Sequence, residues 1–429
     1  MHIRSRRARL LVTILIATMA GGLRAGSLWA QEADTLLARL TAEAVAANPS
    51  LQARRAIARA AQARVRPAGA LPDPMFSAGV MNLTLPRFAF RESDFTEVDL
   101  ELSQEFPWPG TLGARTARAR AEWNARSSDI ESRRREIVVR TAELYYRLRY
   151  VVTARATLQQ QRRLLATAVE IATARYATTS APQSDPLQAR VAMARLDAED
   201  AGLAEQQARL GAELKALRNV RGSERLTIQL INPEDVPLRR HEAHPSEVIT
   251  DSFPAHPRVE ARRAAVEAAE RSVRVEQLGA RPDFSITTRY GAQPLGADFF
   301  SAFIGIRVPL WAGRKQNRLA DAARADADAA RADLAEETAA LQAEVEAAQA
   351  AVASGEHRLR LLTRQVVPSA QATVEAVLRS YRSAQAPFLN VLAAEDSFYR
   401  AQLDAARVAA EHLTHLVMLE QLLSPEVES

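Results

Sequence analysis

Asn48-Pro49-Ser50-Leu51-Gln52-Ala53-Arg54-Arg55-Ala56 returns as His256-Pro257-Arg258-Val259-Glu260-Ala261-Arg262-Arg263-Ala264. Three further landmarks recur in the same order. Pro72-Asp73 is matched by Pro282-Asp283, Phe106-Pro107-Trp108-Pro109-Gly110 by Val308-Pro309-Leu310-Trp311-Ala312-Gly313, and Arg175-Tyr176 through Ala181-Pro182 by Ser380-Tyr381 through Ala386-Pro387. A period this long, enclosing segments of different character, marks a duplicated structural module and not a short solenoid repeat. What one half contains therefore serves for the other.

Ahead of the first repeat, residues 1–30 read as a secretory signal. Arg4, Arg6, Arg7 and Arg9 form a basic start, Leu10 to Ala20 is apolar, and small residues lead to Ala30 just before Gln31. The apolar run is too short to span a bilayer as a helix. Cleavage there removes Arg4, Arg6, Arg7, Arg9 and Arg24 and no acid, so the formal charge of +5 falls to zero. A nucleic-acid partner thereby loses its main electrostatic support. The chain has no cysteine, which fits an oxidising compartment without disulfides and rules out a lipid-modified N-terminal cysteine.

After the signal, no stretch holds the roughly 18 uninterrupted apolar residues that a membrane helix needs. Any crossing must use strands, and each half offers two candidates, at about 75–85 and 96–106 and at about 283–293 and 299–308. Val98, Leu100 and Leu102 alternate with Glu97, Asp99, Glu101 and Ser103, which is period two with one apolar and one acidic face. Phe284, Ile286, Thr288 and Tyr290 alternate with Ser285, Thr287 and Arg289, and Ala302, Ile304, Ile306 and Val308 with Ser301, Gly305 and Arg307, Phe303 dissenting. Met75 to Leu85 alternates poorly and is assigned on position alone. Each run is close to the length of a tilted membrane strand. Phenylalanine concentrates in these regions, and Trp108 and Trp311 stand at the strand exits, where an interfacial aromatic girdle belongs. A soluble antiparallel sheet with one buried face is the alternative.

Everything else has a helical composition. From Leu112 to about Thr178, and from Arg314 to about Arg382, the chain is rich in Ala, Arg, Glu, Gln and Leu, with only Gly355 and Pro368 as interruptions. About 65 such residues at 1.5 Å each make a rod of roughly 100 Å, longer than a globular core requires. Apolar positions are mostly alanine, with large residues at spacings of three and four, as in Leu144, Leu148 and Val151 and in Leu359, Leu362 and Val366. Small residues on several stripes let a helix pack on both sides, as in a tube of helices; an antiparallel two-helix coiled coil is the simpler alternative. Both rods turn back at matched places, Tyr176 to Leu187 and Tyr381 to Leu392, where Ser, Pro and Asp or Asn signal a stop, a turn and a new N-cap. The return helices run to about Val220 and about Leu423.

The duplicated order of helix, strand pair, long helix, Tyr-containing turn and return helix resembles the TolC-like outer-membrane efflux channels, over essentially the whole chain after the signal. The doubled Tyr-to-Asp/Asn-x-Leu turn is its most specific piece. Leu71-Pro72-Asp73-Pro74-Met75, with Phe106-Pro107-Trp108-Pro109-Gly110, is similar to the heavy-metal-efflux branch. The expected fold is mainly α with a transmembrane β-barrel portion: signal at 1–30, first repeat at 31–220 with its hairpin over 112–220, a connecting equatorial segment at 221–250, second repeat at 251–423 with its hairpin over 314–423, and a tail at 424–429. In the family, three protomers each supply four strands to one barrel whose helices continue through the periplasm. Four strands cannot close a pore and would leave edges in lipid, so more than one copy is required in any case.

The resemblance implies an outer-membrane duct of a Gram-negative bacterium, its helical part in the periplasm. Its partners would be outer-membrane lipid, a periplasmic adaptor (membrane fusion) protein and an inner-membrane pump, its substrate class extending to heavy-metal cations. Thr179, Ser180, Ala181 and Pro182, with Ala384, Gln385, Ala386 and Pro387, would form the adaptor-docking tip. Thr179 and Ala384 stand where the family usually has glycine. The aligned acidic tip positions are Asn390 and Ala393, both neutral, so Asp185, Glu395 and Asp396 are the substitute candidates for an acidic constriction. Their alternative is capping, or pairing with arginines such as Arg190 and Arg400. Glu97, Asp99 and Glu101 would line the barrel lumen, and no cofactor is expected.

No glycine-rich phosphate loop, Gly-x-Ser-x-Gly elbow or His-Glu-x-x-His is present, which argues against an enzyme. His241 with His244 and His412 with His415 are spaced to share a metal on a helix, but two nitrogens without clustered cysteine make ordinary histidines the expectation. Two other functions stay open at this stage: a periplasmic adaptor or coiled-coil scaffold, and a duct of the same fold for protein or polysaccharide. An adaptor has one helical hairpin flanked by small β-domains; this chain has two hairpins and four strands.

Overall fold

The computed structural model describes residues 27–83, 96–178, 182–224, 226–238, 256–383 and 385–424, with side chains described from residue 35 onward. The first repeat contributes α1 (Ser27–Ala47), α2 (Pro49–Ala68), β1 (Met75–Met81), β2 (Glu97–Phe106), α3 (Thr111–Ala177) and α4 (Ser184–Leu217). The second contributes α5 (Pro257–Leu278), β3 (Asp283–Ala292), β4 (Phe299–Arg307), α6 (Gln316–Leu361), a π-helical segment (Leu362–Val366), α7 (Val367–Arg382) and α8 (Phe388–Leu423). The expected signal lies almost wholly outside the described residues, and α1 begins before Ala30, the expected cleavage point.

The repeated landmarks do matching work. Pro49 and Pro257 open α2 and α5, where proline's missing N–H costs nothing. His256 caps α5 by accepting from the Arg258 backbone N–H at 3.3 Å, and Asn48 donates to the Leu217 carbonyl at the end of α4 at 2.9 Å. Pro72-Asp73 and Pro282-Asp283 stand at the entries to β1 and β3. Asp283 accepts from the Trp108 backbone N–H at 3.0 Å, which ties the exit of β2 to the entry of β3.

The four strands form one antiparallel sheet in the order β1-β2-β3-β4. Met75 pairs with Ser103, Glu101 with Arg289, and Arg289 with Ser301. β1 is shorter than the 75–85 expected; it ends at Met81, after which Asn82 turns with a positive φ of 54°.

α3 runs unbroken for 67 residues. Its counterpart does not, because Pro368 has no N–H to donate and its ring crowds the carbonyl a turn earlier. The chain answers with the wider π turn of Leu362–Val366 and restarts as α7, with Pro368 in its first turn.

The chain divides into two compact units, each drawing on both repeats: residues 1–49, 134–248 and 343–424 in one, and 50–133, 249–342 and 425–429 in the other. In the first, Leu40, Leu144, Tyr145, Leu148, Val151, Leu210, Leu214, Leu359 and Val408 form a core interleaved with buried alanines. Each such large side chain contributes about 1.5–3 kcal/mol by leaving water. The second contains the sheet, with α2 and α5 joined to neighbouring helices by ion pairs such as Arg54–Asp129 at 3.1 Å and Arg258–Glu337 at 2.7 Å.

Candidate functional site

Partners in a strand register point to the same side of a sheet, so the pairing fixes its two faces. One carries Phe76, Val80, Val98, Leu100, Leu102, Phe284, Ile286, Tyr290, Phe300, Ile304 and Ile306. These side chains are exposed in the single chain apart from the half-buried Phe284, with Ile304 reaching 80% and Phe300 70%. The other face carries Ser77, Gly79, Glu97, Asp99, Glu101, Ser103, Ser285, Thr287, Arg289, Ser301 and Arg307, interrupted by Met75, Met81, Phe299 and Phe303. Ser103 and Thr287 share a hydrogen bond at 3.0 Å across it. A continuous exposed apolar face beyond a few hundred Å² marks contact with lipid or another chain. The outer edges of β1 and β4 have no strand beside them among the described residues.

The three acids expected to line a lumen lie on the polar face, but two of them are not free. Arg289 donates from Nε to Asp99 Oδ1 at 2.6 Å and from Nη2 to Glu97 and Asp99 Oδ2. Glu101 has no hydrogen bond or ion pair among the described residues. At the opposite end of the strands Arg307 pairs with Glu105 and lies 3.8 Å from Asp283. Of the two expected girdle tryptophans, Trp108 stacks on Phe284 at 5.8 Å between ring centroids, with the Arg281 guanidinium 6.0 Å away, whereas Trp311 is 72% exposed.

At the matched turns the structure breaks the symmetry of the sequence. Thr179, Ser180, Ala181 and Ala384 lie outside the described residues; Pro182, Gln385 and Pro387 are exposed and Ala386 is half-buried. Tyr381, at the end of α7, is buried, while its counterpart Tyr176, at the end of α3, is 44% exposed. The Tyr381 hydroxyl donates to Asp185 Oδ2 in the first turn of α4 at 3.2 Å. Arg175 Nη1 donates to the Tyr381 carbonyl at 2.7 Å, and its guanidinium lies 4.6 Å over the Tyr381 ring. Phe388, opening α8, packs on the same ring at 5.3 Å. Burial, with Asp185's negative charge adding to it, pushes the Tyr381 phenol above its usual range, so it stays a donor. One side chain thus joins three helix ends.

Asp185, Glu395 and Asp396 do not form the common constriction expected of them. Asp185 is buried under Tyr381, and Glu395 is 2% exposed with Oε2 unpartnered among the described residues. Asp396 is exposed and pairs with Arg400 at 2.9 Å. Helical geometry explains the split, because Glu395 shares its face with buried Val391 and Phe398, while one residue further the side chain turns to water. Burial alone pushes the Glu395 carboxyl up to about 7. Asn390 and Ala393, the neutral positions, are exposed.

The histidine pairs divide as well. His241 and His244 lie outside the described residues. His412 is completely buried, and burial holds it in the neutral form below its usual range against the opposing pull of Glu356 and of the Pro237 and Val352 backbone. Gly355 makes room for it, since a Cβ there would sit 3.0 Å from His412 Nδ1. No group of three His, Cys, Asp or Glu side chains with metal-ligand geometry occurs among the described residues. Tyr381's pairing and the placement of Arg175 and Arg289 are the functional details that the sequence did not disclose.

The model of the outer membrane efflux protein family matches residues 40–220 and 250–424. The chain belongs to this family. Both matched blocks follow the two repeats, and the fold agrees. CusC, studied for the changes that accompany its folding and transmembrane channel formation, superposes with a TM-score of 0.78 at 16% identity, over 90% of this chain and 91% of its own. The outer membrane protein VceC of Vibrio cholerae gives 0.76 at 21% identity over 92% and 98%. The outer membrane channel CmeC of Campylobacter jejuni gives 0.76 at 14% identity over 93% and 88%. No curated protein sequence matches the chain significantly.

Proposed function

We propose that this outer membrane efflux protein is the passive exit duct of a tripartite assembly, working as a homotrimer with a periplasmic adaptor and an inner-membrane pump. The observation that carries the reading is the open sheet: four strands, a largely apolar and exposed face, and an edge at either side without a neighbouring strand among the described residues. In lipid each unpaired backbone group costs several kcal/mol, so such a sheet is completed by further copies closing into a barrel. The apolar face then meets lipid and the polar face encloses water. No helix among the described residues is long and apolar enough to cross a membrane, and strands suffice.

Residues 1–30 direct export and are removed. The turns at 179–182 and 384–387 serve as the adaptor's footprint, with the Asp185–Tyr381–Arg175 junction holding the helix ends together until docking separates them. The polar face sets five carboxylates, Glu97, Asp99, Glu101, Glu105 and Asp283, against Arg289 and Arg307. Its net negative charge favours cationic cargo, the sign shared by heavy-metal ions. A duct of this kind performs no covalent chemistry and needs no cofactor.

The decisive experiment is extraction of the outer membrane in mild detergent. The protein should elute with the mass of three chains and form ion-conducting pores in planar bilayers. A monomer recovered from the soluble periplasmic fraction without detergent would sink the reading and return the scaffold alternative.

A further inference from the structure

Arg289 stands directly across from Glu101 in the β2–β3 register, yet its guanidinium reaches past that acid towards the loop end of the sheet. Three groups draw it there. Asp99 engages two of its nitrogens, Glu97 takes a further bond from one of them, and the Phe299 ring lies 5.9 Å away. Phe299 can occupy that place because its Cα partner is Gly291, where any Cβ would run into the ring. The side chains of Arg289, Glu97 and Asp99 are 23%, 10% and 13% exposed, so the cluster is largely closed to water in the single chain. A bidentate guanidinium–carboxylate pair with an aromatic face beside it is among the better-held ionic arrangements a protein surface offers.

We propose that Arg289 sets the charge selectivity of the lumen by withdrawing Glu97 and Asp99 from passing ions, so that Glu101 is the acid that ions meet. This rests on the duct reading, which makes the polar face the wall of the pore. Alternation along β2 alone presents three equivalent carboxylates per chain. With Arg289 in place the loop end keeps one net negative charge per chain, and Glu101, which feels Arg289 only through space and has no hydrogen bond or ion pair among the described residues, supplies another. The other guanidinium, Arg307, is spent on Glu105 and Asp283 at the far end. Selectivity is then graded along the axis instead of being one strong anionic ring, and the pore remains passable to anions and zwitterions.

The test is reversal potential in planar bilayers under a KCl gradient, using detergent-purified trimers of parent and variants. Arg289→Gln frees two carboxylates and removes one positive charge per chain. It should raise the potassium-to-chloride permeability ratio by about twofold to fivefold at 0.1 M salt, the size expected for charges about 10 Å from the ion with partial screening. Arg289→Lys keeps the charge and should leave the ratio near the parent's. Arg289→Gln combined with Asp99→Asn restores the cluster's net charge and should do the same. If Arg289→Gln fails to assemble, Asp99→Asn alone, which takes the cluster from one net negative charge per chain to none, should lower the ratio by a similar factor. Ratios equal to the parent's in both Arg289→Gln and Asp99→Asn overturn the proposal, as does an Arg289→Lys shift matching that of Arg289→Gln. Assembled parent protein that conducts no ions strikes the duct reading instead.

Discussion

Replacing Glu395 by glutamine should stabilise α8, and only above acidic pH. The carboxyl lies 2% exposed in a helix face that it shares with Val391 and Phe398, and no charged group among the described residues offsets its burial. Burial raises its affinity for a proton from the ordinary 4.5 to about 7. The folded chain therefore holds a proton between those values that the unfolded chain has lost, so stability falls as pH rises from 4.5 to 7 and stays low above. At 1.36 kcal/mol per tenfold in proton affinity the gap amounts to about 3 kcal/mol, an upper limit because water entering the site relaxes part of it. Glutamine has the same shape and no charge to lose. Hydrogen exchange of the amides around 391–399, corrected for the intrinsic pH dependence, reads the local opening. Protection in Glu395→Gln should exceed the parent's by about tenfold to hundredfold at pH 8 and match it at pH 4.5. Equal protection at both pH values, or lower protection in the variant at pH 8, would mean that the carboxylate has a compensating partner and that the reasoning fails.

Three other outcomes follow from the same region. Tyr381→Phe removes the donor to buried Asp185, a loss of about 1.5–3 kcal/mol for a bond to a charged group; antibiotic leakage into cells should rise, and unchanged leakage means that this junction does not restrain the tip. Gly355→Ala forces a methyl to within 3.0 Å of His412 Nδ1, costing about 1–3 kcal/mol by overpacking; a second change, His412→Ala, should recover most of the lost thermal stability, and failure to recover it would locate the strain elsewhere. Ala386→Trp enlarges a small tip residue that no described core requires; resistance should be lost while the trimer still forms, and full resistance would place docking away from this turn.

Period-two alternation in residues 97–106 and 283–308 was enough to find three strands and their faces, because one face is mainly apolar and the other mainly polar, with Phe299 and Phe303 on the polar side and Gln104 and Thr288 on the apolar side as the exceptions. β1 was harder, since Met75, Ser77, Gly79 and Met81 oppose Phe76, Ala78 and Val80 and the two sets differ little in polarity. The helices were legible from composition, and Pro368 announced a break, though nothing in the sequence says that a π turn would absorb it. What stayed hidden depends on contacts between distant residues. Arg289 and Asp99 are 190 positions apart, and only the register shows which acid the guanidinium reaches. Tyr176 and Tyr381 occupy matched places, and which of them is buried is decided by which helix ends gather around it. Glu395 and Asp396 are chemically alike and adjacent, yet about 100° of helical rotation sends one to the core and the other to water. The expected acidic constriction failed on that rotation.

The unfinished sheet also bears on how such a protein comes to be made. The helices find much of their packing within a single chain, as the core around Tyr145 and Leu148 shows. The edges of β1 and β4 cannot be satisfied until further copies arrive, and in lipid they cannot wait unpaired. On the duct reading, membrane insertion and oligomerisation are consequently a single event whose rate should climb with the local concentration of chains. On the same reading, each copy would carry two sticky borders and a bare apolar flank through an aqueous compartment before that event, which would make escort or rapid encounter a condition of its survival.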